Sequence, residues 1–158
     1  MNALILAVGK LREKWQAQGC EEYLKRLTRY GKYELVDVPD EAEPDKPSRA
    51  LEEKAMEKEG KALLRFIRPQ DYVTALCVDG KALSSEQLAL WVQDKENRSI
   101  HPVLVIGGSM GLSREVLARA DERLSFSAMT FPHGLMRVIL LEQIYRAERI
   151  NHGERYHK

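Results

Sequence analysis

The chain has 158 residues, enough for one domain with its own core, and a make-up of 44% hydrophobic and 31% charged residues excludes a disordered or membrane-embedded chain. Its 25 basic and 24 acidic side chains leave a formal net charge of +1, so overall charge provides no strong pull towards nucleic acid. Cys20 and Cys77 are too few for a disulfide framework, and no apolar run nears the roughly 18 residues of a membrane-crossing helix. A single cytoplasmic domain over 1–158, without membrane or metal, is the expectation.

Leu4–Val8 is an apolar run that reads as a first strand, too short for a secretion signal and lacking the preceding basic segment. Trp15, Tyr23, Leu24 and Leu27 recur at helical spacing and predict a helix over Arg12–Tyr30, with a second strand at Tyr33–Val38. Pro39, Pro44 and Pro47 interrupt regular structure in an acidic loop. Ser48 is placed to cap a long charged helix that carries Leu51, Ala55, Leu63, Leu64 and Ile67 and stops at Pro69. Tyr72–Val78 predicts a third strand, ended by Asp79-Gly80; Ser84 or Ser85 opens a helix through Leu88 and Trp91. Pro102–Ile106 is a wholly apolar strand that runs straight into Gly107-Gly108. Ser113 caps a helix to about Ala120, Leu124–Met129 predicts a further strand, and Leu135–Arg149 is the most apolar helix of the chain.

Alternating strands and helices imply a mainly parallel sheet covered on both faces, an α/β fold. Ligands of such sheets bind beyond the carboxyl ends of the strands, so the site is expected where Leu76–Gly80, Ile106–Gly111 and Ser127–Pro132 leave the sheet.

The glycines of Gly107-Gly108-Ser109-Met110-Gly111 allow backbone to approach a ligand, but neither P-loop nor dinucleotide spacing is present. The same five residues fit the nucleophile elbow of serine hydrolases, with Ser109 as nucleophile and Asp121 and His133 in order behind it. In Ser127–His133, small residues leave room while Met129 and Phe131 could bracket an adenine-sized ring. Leu135–Arg149 is apolar on more than one face and is expected to bury its second face against another subunit, with Arg137, Glu142, Arg146 and Arg149 on the polar edge. Between His133 and Lys158 lie Arg137, Arg146, Arg149, Arg155 and Lys158 against Glu142, Glu148 and Glu154, so an RNA partner would meet the end of the chain. Tyr156, His152 and His157 add groups that stack bases and move protons. A metal site from His152, Glu154 and His157 is set aside, because three close groups at a chain end bind poorly. A non-catalytic RNA-binding module that uses this basic end is a further reading.

Val105–Leu112, Met129–His133, Arg137–Ala147 and the Tyr156-His157-Lys158 ending, together with Leu6–Lys10, resemble the bacterial RlmH methyltransferases over essentially the whole chain. The resemblance implies a SPOUT-class fold with a C-terminal trefoil knot. It also implies S-adenosylmethionine as methyl donor, N3 of a pseudouridine in 23S rRNA of the assembled ribosome as acceptor, and a homodimer. Carried over by position, Leu76, Gly107, Gly108, Ser127, Ala128, Met129, Thr130, Phe131 and Pro132 hold the cofactor. Tyr156 and His157 are the catalytic end, His157 as base, with Arg137 or Arg146 stabilising charge on the target base. Arg149, His152, Arg155 and Lys158 contact RNA. The chain departs from the family pattern at Gly134, where Gln is usual, at Glu148, where an aromatic is usual, and at His152 and Arg155, which replace Arg and Pro.

Overall fold

The chain alternates strand and helix from β1 (Ala3–Val8), α1 (Lys14–Leu27), β2 (Tyr33–Val38), α2 (Arg49–Leu64) and β3 (Tyr72–Ala82) to α3 (Ser85–Asn97), β4 (Pro102–Ile106), α4 (Arg114–Arg119), β5 (Glu122–Ser125) and α5 (His133–Asn151). The structure, a computed structural model, describes residues 1–42, 45–46 and 48–156. The strands form one sheet in the order β2-β1-β4-β3-β5, and every pairing is parallel. β1 and β4 are the inner strands in which nearly every residue is buried, and for that reason they read as unbroken apolar runs.

Successive side chains of these strands point to opposite faces, and each face has its own core. Ile5, Ala7, Leu104 and Ile106 face α1, α3 and α5; Leu6, Val8, Val103 and Val105 face α2 and α4. Three helix starts are fixed by the serines expected to cap them. Ser48 accepts from the Leu51 N–H, Ser113 accepts from the Val116 N–H, and Ser84 forms a reciprocal capping box with Gln87.

Three expectations are corrected. β3 does not stop at Asp79-Gly80: it loops out after Leu76 and resumes on β5, so that Leu124 faces both Leu76 and Lys81. Gly80 permits this, since a Cβ there would lie 2.5 Å from the Leu124 carbonyl carbon. β5 is shorter and earlier than Leu124–Met129, and residues 127–132 form a loop instead. α5 is flanked by α1 and α3 within the same protomer, with Leu140, Leu141 and Ile144 at most 1% exposed. A helix with neighbours on both sides needs two apolar faces, so no second subunit is required to explain its composition. Each of these three side chains contributes about 1.5–3 kcal/mol by burial.

Candidate active site

The exits of β3 and β4 and the loop after β5 meet in one cleft beyond the carboxyl edge of the sheet. Its empty volume, open solvent at the mouth included, is about 720 Å³. Leu76, Gly107, Gly108, Ser127, Met129, Thr130 and Phe131, all expected from the sequence, line it; Ala128 and Pro132 belong to the same loop but are not among the lining residues. Cys77, Val78, Ile106, Gly111, Leu112, Phe126, His133 and Met136 complete the wall. Of these, the immediate neighbours of the glycine turn were legible as strand-exit residues, whereas Met136 enters from the second turn of α5. Cys77 is a thiol rather than a nucleophile, because burial and then its hydrogen bond with Asp79 push its pKa to about 11.

The turn after β4 is closed by the Gly111 N–H donating to the Gly108 carbonyl over 3.1 Å, with Gly111 at φ +89°. Gly107 packs so closely on Gly111 that a Cβ would stand 2.7 Å from its carbonyl carbon. The backbone therefore forms the cleft wall itself, a surface that a flat heterocycle can approach closely. Behind Gly108 lies Glu59 of α2, 3% exposed, whose Oε1 accepts from the Glu41 N–H at 3.0 Å.

His133 opens α5 at the cleft, and its ring nitrogen Nε2 would stand 2.9 Å from a Cβ on Gly9. Burial, then the charge of Arg137, lowers its pKa below 6.5, so the ring in the cleft is neutral at neutral pH. Arg137 is not on a polar edge between subunits, nor does it line the cleft. It is fully buried, its Nη2 donates to the Val8 carbonyl at 2.8 Å and to the Gly9 carbonyl, and Nε lies 3.4 Å from Asp37 Oδ1. The guanidinium fastens the β1–α1 turn to α5.

The hydrolase arrangement does not assemble. The Asp121 carboxylate accepts from the Val73 N–H at 2.7 Å, which places it at the amino-terminal edge of the sheet, opposite His133 and Ser109.

As far as Tyr156, the tail is packed on α5. Tyr156 packs edge-on against Tyr145 at 5.0 Å and donates to Glu142 Oε1 at 3.1 Å, and Arg146 covers its ring at 4.8 Å. Burial first, then a hydrogen bond with Tyr23, raises the phenol's pKa, so Tyr156 stays protonated. Arg146 pairs with Glu142 at 2.6 Å, and Arg149 pairs with Glu154 at 2.7 Å and bonds the Arg155 carbonyl. His152 lies against Tyr30 at 4.9 Å and Arg155 is exposed; His157 and Lys158 lie outside the described residues.

The departures at Gly134 and Glu148 have internal causes. Gln16 fills the space beside Gly134, its Oε1 2.1 Å from where a Cβ would sit. Glu148 is buried instead of facing RNA, pairing with the Met1 amine at 2.8 Å and accepting from the Tyr33 hydroxyl.

A family model described as "Predicted SPOUT methyltransferase" matches residues 1–157. The chain belongs to the SPOUT methyltransferase family. Among relatives of this SPOUT methyltransferase, the "Ribosomal RNA large subunit methyltransferase H" of Clostridioides difficile (strain 630) is 53% identical over 159 residues, covering 100% of both chains. The protein of the same name from Alkaliphilus oremlandii (strain OhILAs) is 52% identical over 161 residues, again with 100% of both covered. Among solved structures, a "probable methylase family protein" of Haemophilus influenzae Rd KW20 superposes with a TM-score of 0.60 at 13% identity, over 99% of this chain and 70% of that one. A "Probable Methyltransferase" of Bordetella pertussis Tohama I gives 0.53 at 13% identity, over 93% and 96%. At those identities the likeness is one of fold. The methyl donor of SPOUT methyltransferases is S-adenosylmethionine, and the cleft fits it: a bare glycine backbone, the apolar walls of Phe126, Phe131 and Leu76, and hydroxyls from Ser127 and Thr130. Among the described residues no group of side chains could hold a metal ion, and no helix is long and apolar enough to cross a membrane.

Proposed function

We propose that this SPOUT methyltransferase moves the methyl group of S-adenosylmethionine to N3 of a pseudouridine in the large-subunit 23S rRNA of the assembled ribosome, acting as a cytoplasmic homodimer. The observation that carries the reading is full-length likeness, at 53% and 52% identity, to proteins named ribosomal RNA large subunit methyltransferase H. The converging strand exits support it independently.

When bound, the cofactor supplies an electrophilic methyl group; the protein's own residues hold, align and exclude water. Leu76, Gly107, Gly108 and the Ser127–Pro132 loop seat the cofactor, and aligned reactants supply much of the rate. N3 of the base must lose its proton to act as nucleophile; bound S-adenosylmethionine would supply the methyl group, with its sulfur as the leaving group that keeps the bonding electrons. His157 takes that proton, and Tyr156 and Arg146 stabilise the charge that spreads to the base carbonyls. Arg137 acts one step back, by fixing the β1–α1 turn that His133 touches. Arg149, His152, Arg155 and Lys158 meet the RNA backbone.

Distance supports the dimer. Tyr156 is anchored at Glu142, nine residues beyond His133 on α5, or about 14 Å at 1.5 Å per residue. That separation favours the tail of a second copy as the one that completes the cleft, where Met129 and Val78 stand 73% and 54% exposed and a second copy would cover them. The loop 126–133 shares the cleft with the exits of β3 and β4, which is compatible with a C-terminal trefoil knot.

Ribosomes from a strain lacking the modification should take up one methyl group per large subunit from labelled S-adenosylmethionine, and nucleoside mass spectrometry should find it on N3 of pseudouridine. Label on another nucleoside, or none, refutes the reading.

A further inference from the structure

Glu59 has no part in the chemistry above, yet it is a buried acid for which no ion pair is seen among the described residues. Its side chain is carried by α2 into the interior, 3% exposed. One oxygen accepts from the Glu41 N–H, and the other, Oε2, is buried without any hydrogen-bond partner. That oxygen lies 3.1 Å from where a Cβ on Gly108 would be, and Gly108 also lines the cofactor cleft. One glycine thus separates an unsatisfied carboxyl from the cleft.

Among the described residues no cation forms an ion pair with Glu59. From the β2–α2 segment it faces Asp40 and Glu41, whose own partners are Arg12 at 3.7 Å and Lys58 at 3.6 Å. Beside Gly108, Glu59 and Val8 of β1 stand equally close, each 3.1 Å from where a Cβ would be. The cleft wall itself carries no acid. A buried carboxylate without a countercharge is costly, and a cation brought within a few ångströms relieves that cost.

We propose that Glu59 is a specificity-determining residue that favours the sulfonium-bearing methyl donor over its neutral thioether product, acting through Gly108 as the countercharge of the cationic cofactor. This rests on the reading of the cleft as the S-adenosylmethionine site. Packing alone would serve donor and product equally, since they differ by one methyl group and one charge. Charge separates them: the donor is drawn in, and after transfer the thioether loses the attraction and leaves. Within the chain itself, burial and then the nearby Asp40 and Glu41 raise the carboxyl's pKa, against the Glu41 N–H, which lowers it. Donor binding reverses this and releases a proton wherever Glu59 is protonated beforehand, so donor affinity rises with pH through that range.

The test is isothermal titration calorimetry of the full chain with S-adenosylmethionine and with S-adenosylhomocysteine, in buffers of different ionisation enthalpy. The wild type and Glu59→Gln are compared. Gln keeps the shape and the bond from the Glu41 N–H while removing the charge. Expected is a loss of about tenfold in donor affinity, with product affinity unchanged within about twofold. The wild type should release more protons on binding donor than on binding product, a difference that Glu59→Gln abolishes; this measurement on the wild type needs no variant to fold. Equal losses for both ligands, or equal proton release, overturn the proposal and leave Glu59 a packing residue. A wild type that binds neither ligand instead overturns the reading of the cleft.

Discussion

Replacing Gly107 by Ala puts a methyl group 2.7 Å from the carbonyl carbon and oxygen of Gly111, both backbone atoms that cannot rotate away. Ordinary contact needs 3.4 Å or more, so the turn must open. Opening it breaks the 3.1 Å bond from the Gly111 N–H to the Gly108 carbonyl, worth about 1 kcal/mol, and adds overpacking strain of about 1–3 kcal/mol. A loss of about 2–4 kcal/mol lowers Tm by roughly 4–16 °C for a domain of this size. Because the shifted atoms form the cleft wall, cofactor affinity should also fall at least about tenfold. Gly111→Ala is the control: its Cβ meets nothing within 4 Å, and the cost is the positive φ of +89°, about 1–2 kcal/mol. That variant should lose stability while its affinity stays within about threefold. Thermal melts with and without S-adenosylhomocysteine, with calorimetric Kd values, read both quantities. A Gly107→Ala protein that melts within 1 °C of wild type and binds within twofold would show that the turn is not the rigid wall described.

Other expectations follow from the same contacts. Burial, then the charge of Arg137, lowers the pKa of His133 in the folded chain, so the unfolded chain binds the proton more readily; its contribution to stability is complete above the unfolded value of 6.5 and is lost as pH falls from there through the lower folded value. His133→Asn should flatten that part of a denaturation profile measured from pH 7.5 to 5, and an unchanged slope would refute it. Arg137→Met leaves the Val8 and Gly9 carbonyls and Asp37 without their buried partner and should cost about 2–4 kcal/mol in urea unfolding; a stability equal to wild type would place Arg137 outside the structural frame. His157→Ala should slow methyl transfer to ribosomes at least about 100-fold while leaving cofactor affinity intact, and near-normal turnover would remove it as the base.

Much of the fold is legible in residues that answer to local rules. The buried runs of β1 and β4, the three serine caps and the three strand exits could be placed because each depends on its own segment. Residues whose state depends on distant neighbours could not. Nothing near Asp79-Gly80 announces that pairing will resume on β5, and an arginine at 137 or a glutamate at 148 reads as surface until its distant partners are known. The cleft is legible in its glycines and loop, while Met136 enters it and Glu59 stands behind Gly108 from helices whose own segments carry no such signal.

α5 has a bearing on how the molecule comes into being. It fills the centre of one helical layer, between α1 and α3 and over β1 and β4, yet it begins only after residue 132. Until it is available, Ile5, Ala7, Leu104 and Ile106 have no central cover, and the nascent sheet presents an oily half-face to its surroundings. Folding is thereby deferred to a late, long-range closure, and the growing chain is most open to aggregation just before it gains the helix that ends that exposure.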